Sequence, residues 1–161
     1  MAGFIERIYF APRADPGKRR AFEALLADKH CAEIGSFLSA VAEYKRRKPS
    51  REAAKKIFDR FIGGDETGSV FEDAASDTIN LSAHQVDVIR TRLLAPDEFI
   101  FDEAVDEMDK LVRANGFVLE FTNLERAVAE QRAASVAKGL AVALLVATAA
   151  IVCYLLAQSQ S

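Results

Sequence analysis

Apolar residues recur at every third or fourth position along most of this chain, which is the spacing of helices that bury one face. The first clear stripe runs from Phe22 to Leu26. A second, longer stripe consists of Ile34, Phe37, Leu38, Val41 and Tyr44. Because no segment of useful length alternates apolar and polar residues as a half-buried strand does, the pattern predicts an all-α helical bundle.

Capping and turn residues divide the stripes into separate helices. Ser50 is placed to cap a third helix, and Gly63-Gly64 is placed to end it. Residues 63–78 then have the composition of a long loop. Ser82 and Gln85 have the spacing of a capping box, so a fourth helix is predicted to begin there.

The fourth helix is predicted to end before Pro96, because proline cannot continue a helix. Its apolar stripe is expected to be buried and comprises Val86, Ile89, Leu93 and Leu94. A fifth stripe extends from Phe101 to Val112 and ends at Asn115-Gly116, residue types that are typical of a helix C-terminus. A last helix is predicted to follow Gly116.

The end of the chain differs in composition from the body. Residues 139–157 contain no charged side chain, although charged residues make up 28% of the protein. A helix of 19 residues is about 28 Å long, which is close to the hydrocarbon thickness of a bilayer. The sequence therefore predicts a single transmembrane helix over 139–157. A helical domain over 1–130 and a linker or helix continuation over 131–138 would precede it, and a short tail over 158–161 would follow.

The flanking charges predict the orientation of this span. Arg126, Arg132 and Lys138 precede it and no charged residue follows it, so the domain is expected on the cytosolic side of the membrane. The absence of basic residues after the span favours the endoplasmic reticulum or secretory route over the mitochondrial surface. Small residues at four-residue spacing would also allow two spans to form a weak dimer: Gly139, Ala143 and Ala147.

Charge and motif content exclude several classes of function. The net charge is −3, with basic and acidic residues intermixed, so no nucleic-acid-binding surface is indicated. The densest basic stretches, 17–20 and 45–51, fit either solvated helix ends or contacts with anionic lipid headgroups. His30 and His84 have no partners at a metal-ligand spacing, and no phosphate-binding loop, nucleophile elbow or zinc pattern is present. We therefore expect no metal, no cofactor and no catalytic site.

Several short motifs occur in an order that is informative. The stretch 22–45 is similar to F-x-x-F-L, S-E-E-N and F-W-x-x-C-E-x-Y/F-K in succession, with matches at Phe22, Leu26, Glu33, Phe37, Glu43, Tyr44 and Lys45. Further matches are I-Y/F-x-x-F-I at 57–62, I-N-L at 79–81, L-x-P at 94–96 and F-D-x-A at 101–104. Over roughly residues 4–125, this succession resembles the regulator of G protein signalling (RGS) domain. The resemblance implies a bundle of about nine helices.

The resemblance also implies a function. RGS domains accelerate GTP hydrolysis by a Gα subunit, mainly by holding its switch segments in their transition-state arrangement. The implied protein is a membrane-anchored regulator of heterotrimeric G-protein signalling that binds Gα. It would act as a GTPase activator without being an enzyme in its own right.

Three patches of Gα-contacting residues carry over, with departures from the family pattern. S-E-E-N corresponds to Cys31-Ala32-Glu33-Ile34, so Ile34 replaces an asparagine on a turn that is expected to be exposed. Arg92 takes the place of an asparagine ahead of L-x-P. L-x-x-x-D-S-Y-x-R corresponds to Leu111, Asn115, Gly116, Phe117 and Leu119. The candidate Gα-binding residues are Glu33, Ile34, Arg92, Leu111, Asn115 and Gly116.

Two other functions fit the sequence. The loss of the asparagines and of the arginine fits an RGS-like adaptor that scaffolds or sorts membrane proteins without activating Gα. A helical bundle ahead of a tail anchor is also the architecture of Bcl-2-type apoptosis regulators. The chain has no tryptophan, however, and so lacks the N-W-G-R element of that family.

Overall fold

The computed structural model describes residues 3–63 and 77–158, and from residue 141 onward it describes the side chain of Leu144 alone. These residues form one π-helix and six α-helices without a strand, so the predicted all-α class is confirmed. The resemblance implies about nine helices, whereas the described part of the chain contains seven. The predicted loop at 63–78 lies largely outside the described residues.

The helices follow one another through short connections. A π-helix, Glu6–Phe10, comes first. The α-helices are α1 (Pro16–Asp28), α2 (Ala32–Arg46), α3 (Arg51–Phe61), α4 (Ala83–Arg92), α5 (Asp102–Ala114) and α6 (Phe117–Gln158). The chain divides into two compact units, Met1–Leu119 and Glu120–Ser161.

The helix starts that the capping residues predict are present. The hydroxyl of Ser50 accepts a hydrogen bond from the N–H of Ala53 (3.2 Å) at the start of α3. Ser82 and Gln85 form a complete capping box at the start of α4. Because these side chains satisfy N–H groups that have no partner within the helix, local sequence fixes where α3 and α4 begin.

Aromatic rings join three helices in the core of the first unit. The ring of Phe37 in α2 packs edge to face against Phe61 of α3 and Phe101 at the start of α5, with centroid distances of 5.8 and 6.3 Å. Tyr44, two turns later in α2, also packs against Phe101, at a centroid distance of 5.6 Å. Such edge-to-face pairs are each worth about 0.5–1.5 kcal/mol beyond the area they bury.

Leu94 is a predicted core residue that is exposed. The sequence pattern places it in the buried stripe of the fourth helix, but its side chain is 70% exposed. The helix ends at Arg92, so Leu94 lies in the following turn, where the helical period no longer sets the direction of a side chain. The assignment of Leu94 to the core is therefore wrong.

α6 is continuous from Phe117 to Gln158, so the segments 131–138 and 139–157 belong to the same helix. In the part of the chain that the structure describes, no helix combines the length and the apolar character that crossing a membrane requires. The predicted transmembrane helix over 139–157 is thus not found among the described residues. Most side chains of the predicted span lie outside the described residues.

Candidate partner-binding site

The first predicted patch lies on the tight turn between α1 and α2. His30 has a φ of 58°, in the left-handed region that residues other than glycine seldom adopt. The N–H of Cys31 donates a hydrogen bond to the C=O of Leu26 (2.8 Å), which closes the turn. Glu33 then lies in the first turn of α2, where the helix dipole favours a carboxylate. Burial, and then the Glu33 carboxylate, raise the pKa of the Cys31 thiol, so the thiol is protonated at neutral pH.

Ile34 is buried rather than exposed. Its side chain is 3% exposed. It is the first member of the α2 stripe and precedes Phe37 by one turn, so it faces the core. The expectation of an apolar residue on an exposed turn is therefore wrong, and Ile34 offers no side-chain surface to a partner. The helical spacing of the apolar residues already contained this signal.

Arg92 lies near the C-terminal end of α2, away from Glu33. Its guanidinium contacts both carboxylate oxygens of Asp97, at 2.8 and 3.1 Å. The backbone C=O of Asp97 in turn accepts a hydrogen bond from the Tyr44 hydroxyl (2.9 Å). Glu33 precedes Tyr44 by 11 residues of α2, which correspond to about 16 Å along the helix. The structure thus does not bring Arg92 together with Glu33.

Asn80, in the I-N-L match, directly follows a residue that is hydrogen-bonded to the end of α3. The N–H of its neighbour Ile79 donates a hydrogen bond to the C=O of Phe61 (2.8 Å). The ring of Phe61 packs on Phe37, one turn after the start of α2. Ile79 is buried and Asn80 is exposed, so the chain is held at residue 79 while the amide at residue 80 faces solvent. Residue-by-residue comparison missed Asn80, although I-N-L already contained an amide ahead of L-x-P.

The third patch is the turn between α5 and α6. Gly116 has a φ of 74°, which a side chain would strain, although a Cβ there would meet no atom within 4 Å. The amide of Asn115 donates a hydrogen bond to the C=O of Leu111 (2.9 Å) and closes the end of α5. Leu111 is 37% exposed and Leu119 is 67% exposed, so this turn presents apolar side chains to solvent.

The directions of the helices show which patches share an end. Lys45 and Asp102 form an ion pair at 2.6 Å, which places the start of α5 beside the C-terminus of α2. The axis of α5 then carries Leu111 about 13 Å away from this ion pair. Leu111, Asn115 and Gly116 therefore lie away from the Lys45–Asp102 ion pair, and Asn80 lies beside Glu103 and Glu107 of α5. Five residues are here named together as the contact end: Glu33, Asn80, Leu111, Asn115 and Gly116. Arg92 lies at the opposite end.

An open, polar pocket lies beside Asn80. It has a volume of about 610 Å³ and is lined by Asn80, Leu81, Ser82, His84, Gln85, Glu103 and Glu107. The lining offers both hydrogen-bond donors and carboxylates, which suits a polar or positively charged group of a partner. Within residues 3–63 and 77–158, no three side chains of the metal-binding types are arranged to hold an ion.

The chain matches the model of a known protein family. The model of the Regulator of G protein signaling domain matches residues 13–123, which is more than half of the chain. This range includes α1 to α5 and all three turns of the contact end. A search of curated proteins found no match. The family match confirms the resemblance that the order of the short motifs indicated.

Proposed function

Because this chain belongs to the regulator of G protein signaling domain family, we propose that it regulates G-protein signalling by binding a Gα subunit. The match over residues 13–123 carries the proposal, since it includes the turns that form the contact end. The chain would bind Gα in its transition state for GTP hydrolysis, and the rate of hydrolysis by Gα would rise. The chain itself would supply no catalytic group.

The contact end offers groups that can hold a switch segment by hydrogen bonds. Glu33 supplies a carboxylate, and Asn80 supplies an exposed amide that donates and accepts. Groups fixed in position before binding accelerate a partner's reaction because little ordering remains to be done in the transition state. In this proposal Asn80, rather than Arg92, provides the amide of the second patch, because Arg92 lies at the other end and is paired with Asp97.

Single-turnover GTP hydrolysis by a panel of Gα subunits, with and without the full chain, tests the proposal. Glu33→Ala and Asn80→Ala should each lower the acceleration by about tenfold, the usual effect of losing one well-placed hydrogen bond to a charged group. Arg92→Ala is the matched control and should change it by less than about twofold. No acceleration by the wild-type chain with any Gα would refute GTPase activation.

Two observations favour a second function, that of an adaptor which does not activate Gα. The residue at the place of the family's asparagine, Ile34, is buried, and Leu119, at the place of its arginine, is 67% exposed and apolar. The exposed apolar side chain of Leu119, close to the contact end, suits a partner surface other than a polar switch segment. Retrieval of one reproducible membrane protein by the full chain, without acceleration of GTP hydrolysis, would support the adaptor.

We also propose that residues 139–157 hold the domain at the cytosolic face of a membrane. The support is the sequence alone, which has no charge over these 19 positions and places Arg126, Arg132 and Lys138 ahead of them. The full chain should then remain with cell membranes during extraction in alkaline carbonate. Release into the carbonate supernatant would contradict a spanning anchor. Retention would place a regulator of lipidated Gα on the same surface as its partner, which raises the effective concentration.

A further inference from the structure

The turn between α2 and α3 holds a serine on an extended stretch of chain. The side chain of Ser50 is exposed, and the backbone is extended at Arg47 (φ −97°, ψ 166°) and at Ser50 (φ −138°, ψ 147°). Pro49 contributes to this conformation, because the residue before a proline is kept out of the helical region. A protein kinase has to place its acceptor hydroxyl in line with the γ-phosphoryl group of ATP, which an exposed and extended segment allows.

The residues around Ser50 are basic. Residues 45–51 contain five Lys and Arg side chains and no acidic one. Arg47, three positions ahead of Ser50, pairs with Glu43 at 2.7 Å, but its side chain is 76% exposed. Because an exposed ion pair contributes little to stability, the guanidinium can leave Glu43 for another carboxylate. Kinases that select substrates by charge place carboxylates along the groove that holds the residues ahead of the acceptor, and this segment is complementary to such a groove.

Little packing opposes the binding of this segment by a kinase. Residues 51–53 form the first turn of α3, and none of their side chains is buried. The first buried side chain of the helix is that of Ala54. Because a helix end with few buried contacts opens at a low free energy, the residues that follow Ser50 can become extended without disturbing the core.

A phosphate on Ser50 suits the start of α3. The hydroxyl of Ser50 already accepts a hydrogen bond from the N–H of Ala53 (3.2 Å) and so caps the helix. A phosphoserine brings three acceptor oxygens and a charge of about −1.5 to −2 at neutral pH to the positive end of the helix dipole. It would also reduce the repulsion among the basic side chains of residues 45–51. The modification should therefore stabilise the start of α3 rather than disrupt it.

We propose that Ser50 is a phosphorylation site for a protein kinase that recognises basic residues, and that the phosphate then caps α3. In the transfer, the Ser50 Oγ attacks the γ-phosphorus of Mg²⁺-bound ATP, the bond from that phosphorus to the β–γ bridging oxygen breaks, and ADP leaves. The proton of the hydroxyl passes to the catalytic carboxylate of the kinase. Neither Gα binding nor insertion of residues 139–157 is required.

Two other serines of the chain serve as matched controls. Ser82 is exposed and caps α4 in the same way, but residues 77–81 ahead of it contain no Lys or Arg. Ser135 follows Arg132 by three residues, which is the spacing from Arg47 to Ser50, but it lies inside α6 and its hydroxyl donates a hydrogen bond to a backbone C=O (3.0 Å). Ser82 thus has the cap without the basic residues, and Ser135 has the arginine without the extended backbone.

The first experiment measures where phosphate enters. The full chain is incubated with Mg²⁺, ATP and each of a panel of arginine-directed protein kinases, and the phosphate on each serine is followed over time by mass spectrometry. Phosphate should enter Ser50 at least about tenfold faster than Ser82 or Ser135, the effect of one well-placed hydrogen bond between charged groups. Arg47→Gln should slow the reaction at Ser50 by about tenfold, whereas Arg126→Gln, on the exposed surface of α6, should not. No phosphate at Ser50 with any of the kinases would overturn the proposal, and so would equal rates at the three serines.

The second experiment measures the effect of the phosphate on the fold. The Tm of the phosphorylated chain should be about 2–4 °C above that of the unmodified chain, and the gain should shrink at high salt, which screens the added charge. Ser50→Asn is the control, because asparagine caps a helix but accepts no phosphate, so kinase treatment should leave its Tm unchanged. An unchanged or lower Tm of the phosphorylated chain would overturn the proposal, and so would an equal rise in Ser50→Asn. GTP hydrolysis is measured separately, so its failure would leave this result untouched.

Discussion

Replacement of Ile34 by asparagine, the residue of the family pattern, tests whether this position belongs to the core or to the contact surface. The side chain of Ile34 is 3% exposed, so nearly all of its transfer free energy, about 1.5–3 kcal/mol, is lost on replacement. The asparagine amide would also be buried without a designed partner, at a cost of about 1–3 kcal/mol. The variant should therefore lose about 3–5 kcal/mol of the free energy of unfolding, a large part of the stability of an ordinary domain.

The assay is urea unfolding of the full chain followed by circular dichroism, with midpoint and slope fitted separately. Glu33→Gln is the neighbouring control, because Glu33 is half-buried on the same turn and loses only a charge, so its effect should stay within about 0.5–1 kcal/mol. Ile34→Val removes one methylene and should cost about 0.5–1.5 kcal/mol.

Two results would refute this reasoning. A loss of less than about 1 kcal/mol for Ile34→Asn would mean that the side chain is not packed in the core. An equally stable variant that accelerates GTP hydrolysis by Gα more than wild type does would mean that residue 34 faces the partner, as the family pattern implies. A destabilised variant whose remaining folded fraction accelerates hydrolysis no better than wild type would support the buried position.

Three further changes have expected outcomes. The Tyr9 hydroxyl is buried and has no hydrogen-bond partner among the described residues, so Tyr9→Phe should raise the free energy of unfolding by about 1 kcal/mol. Tyr44→Phe loses the hydrogen bond to Asp97 and should lower the free energy of unfolding by about 1 kcal/mol. Shifts of the same sign for the two variants in urea unfolding would contradict this prediction. Burial, and then the carboxylates of Glu23 and Asp97 respectively, raise the pKa of Tyr9 and Tyr44 above the ordinary value of 10.0, so the folded state holds these protons more tightly than the unfolded state does. Stability should therefore be unaffected below about pH 10 and should fall as the pH rises further, and a flat profile of unfolding free energy between pH 7 and about pH 11 would count against it. Asp109→Ala removes the acceptor of the hydrogen bond from the Ile5 N–H (3.0 Å), so it should lower the free energy of unfolding by about 1–2 kcal/mol and accelerate hydrogen exchange at Ile5. Asp106→Ala, on the exposed face of α5, is the control. Equal exchange rates at Ile5 in both variants would show that Asp109 does not hold the N-terminal segment in place.

The functional conclusion depends on which residues share an end of the first unit. A family pattern aligns residues one at a time along the chain, and in that alignment Arg92 stands at the position of an asparagine. The geometry distinguishes the positions, because Arg92 pairs with Asp97 near Tyr44 while Asn80 follows a residue fastened to Phe61. Assays that change both positions side by side therefore separate an alignment-based assignment from a structural one.

Local sequence by itself determined the helical class and several helix ends. Each of these signals acts within one or two helical turns, so its effect can be predicted without knowing the fold. The signals are the period of the apolar residues, the hydroxyl of Ser50, the capping box at Ser82 and the glycine at position 116. The order of the short motifs also indicated the family, because it preserves the succession of helices.

Tertiary structure alone decided which of these residues are exposed and which lie together. Periodicity states that one helix face is buried but not where the helix stops, so Leu94 emerged on the surface just beyond α4. Alignment places Ile34 at a contact position, whereas packing of α2 turns its side chain inward. The loop 93–101 lies beside the C-terminal end of α2 because the Tyr44 hydroxyl donates a hydrogen bond to the C=O of Asp97, 53 residues away in sequence. Such long-range contacts depend on how whole helix faces fit one another, and no local pattern encodes that fit.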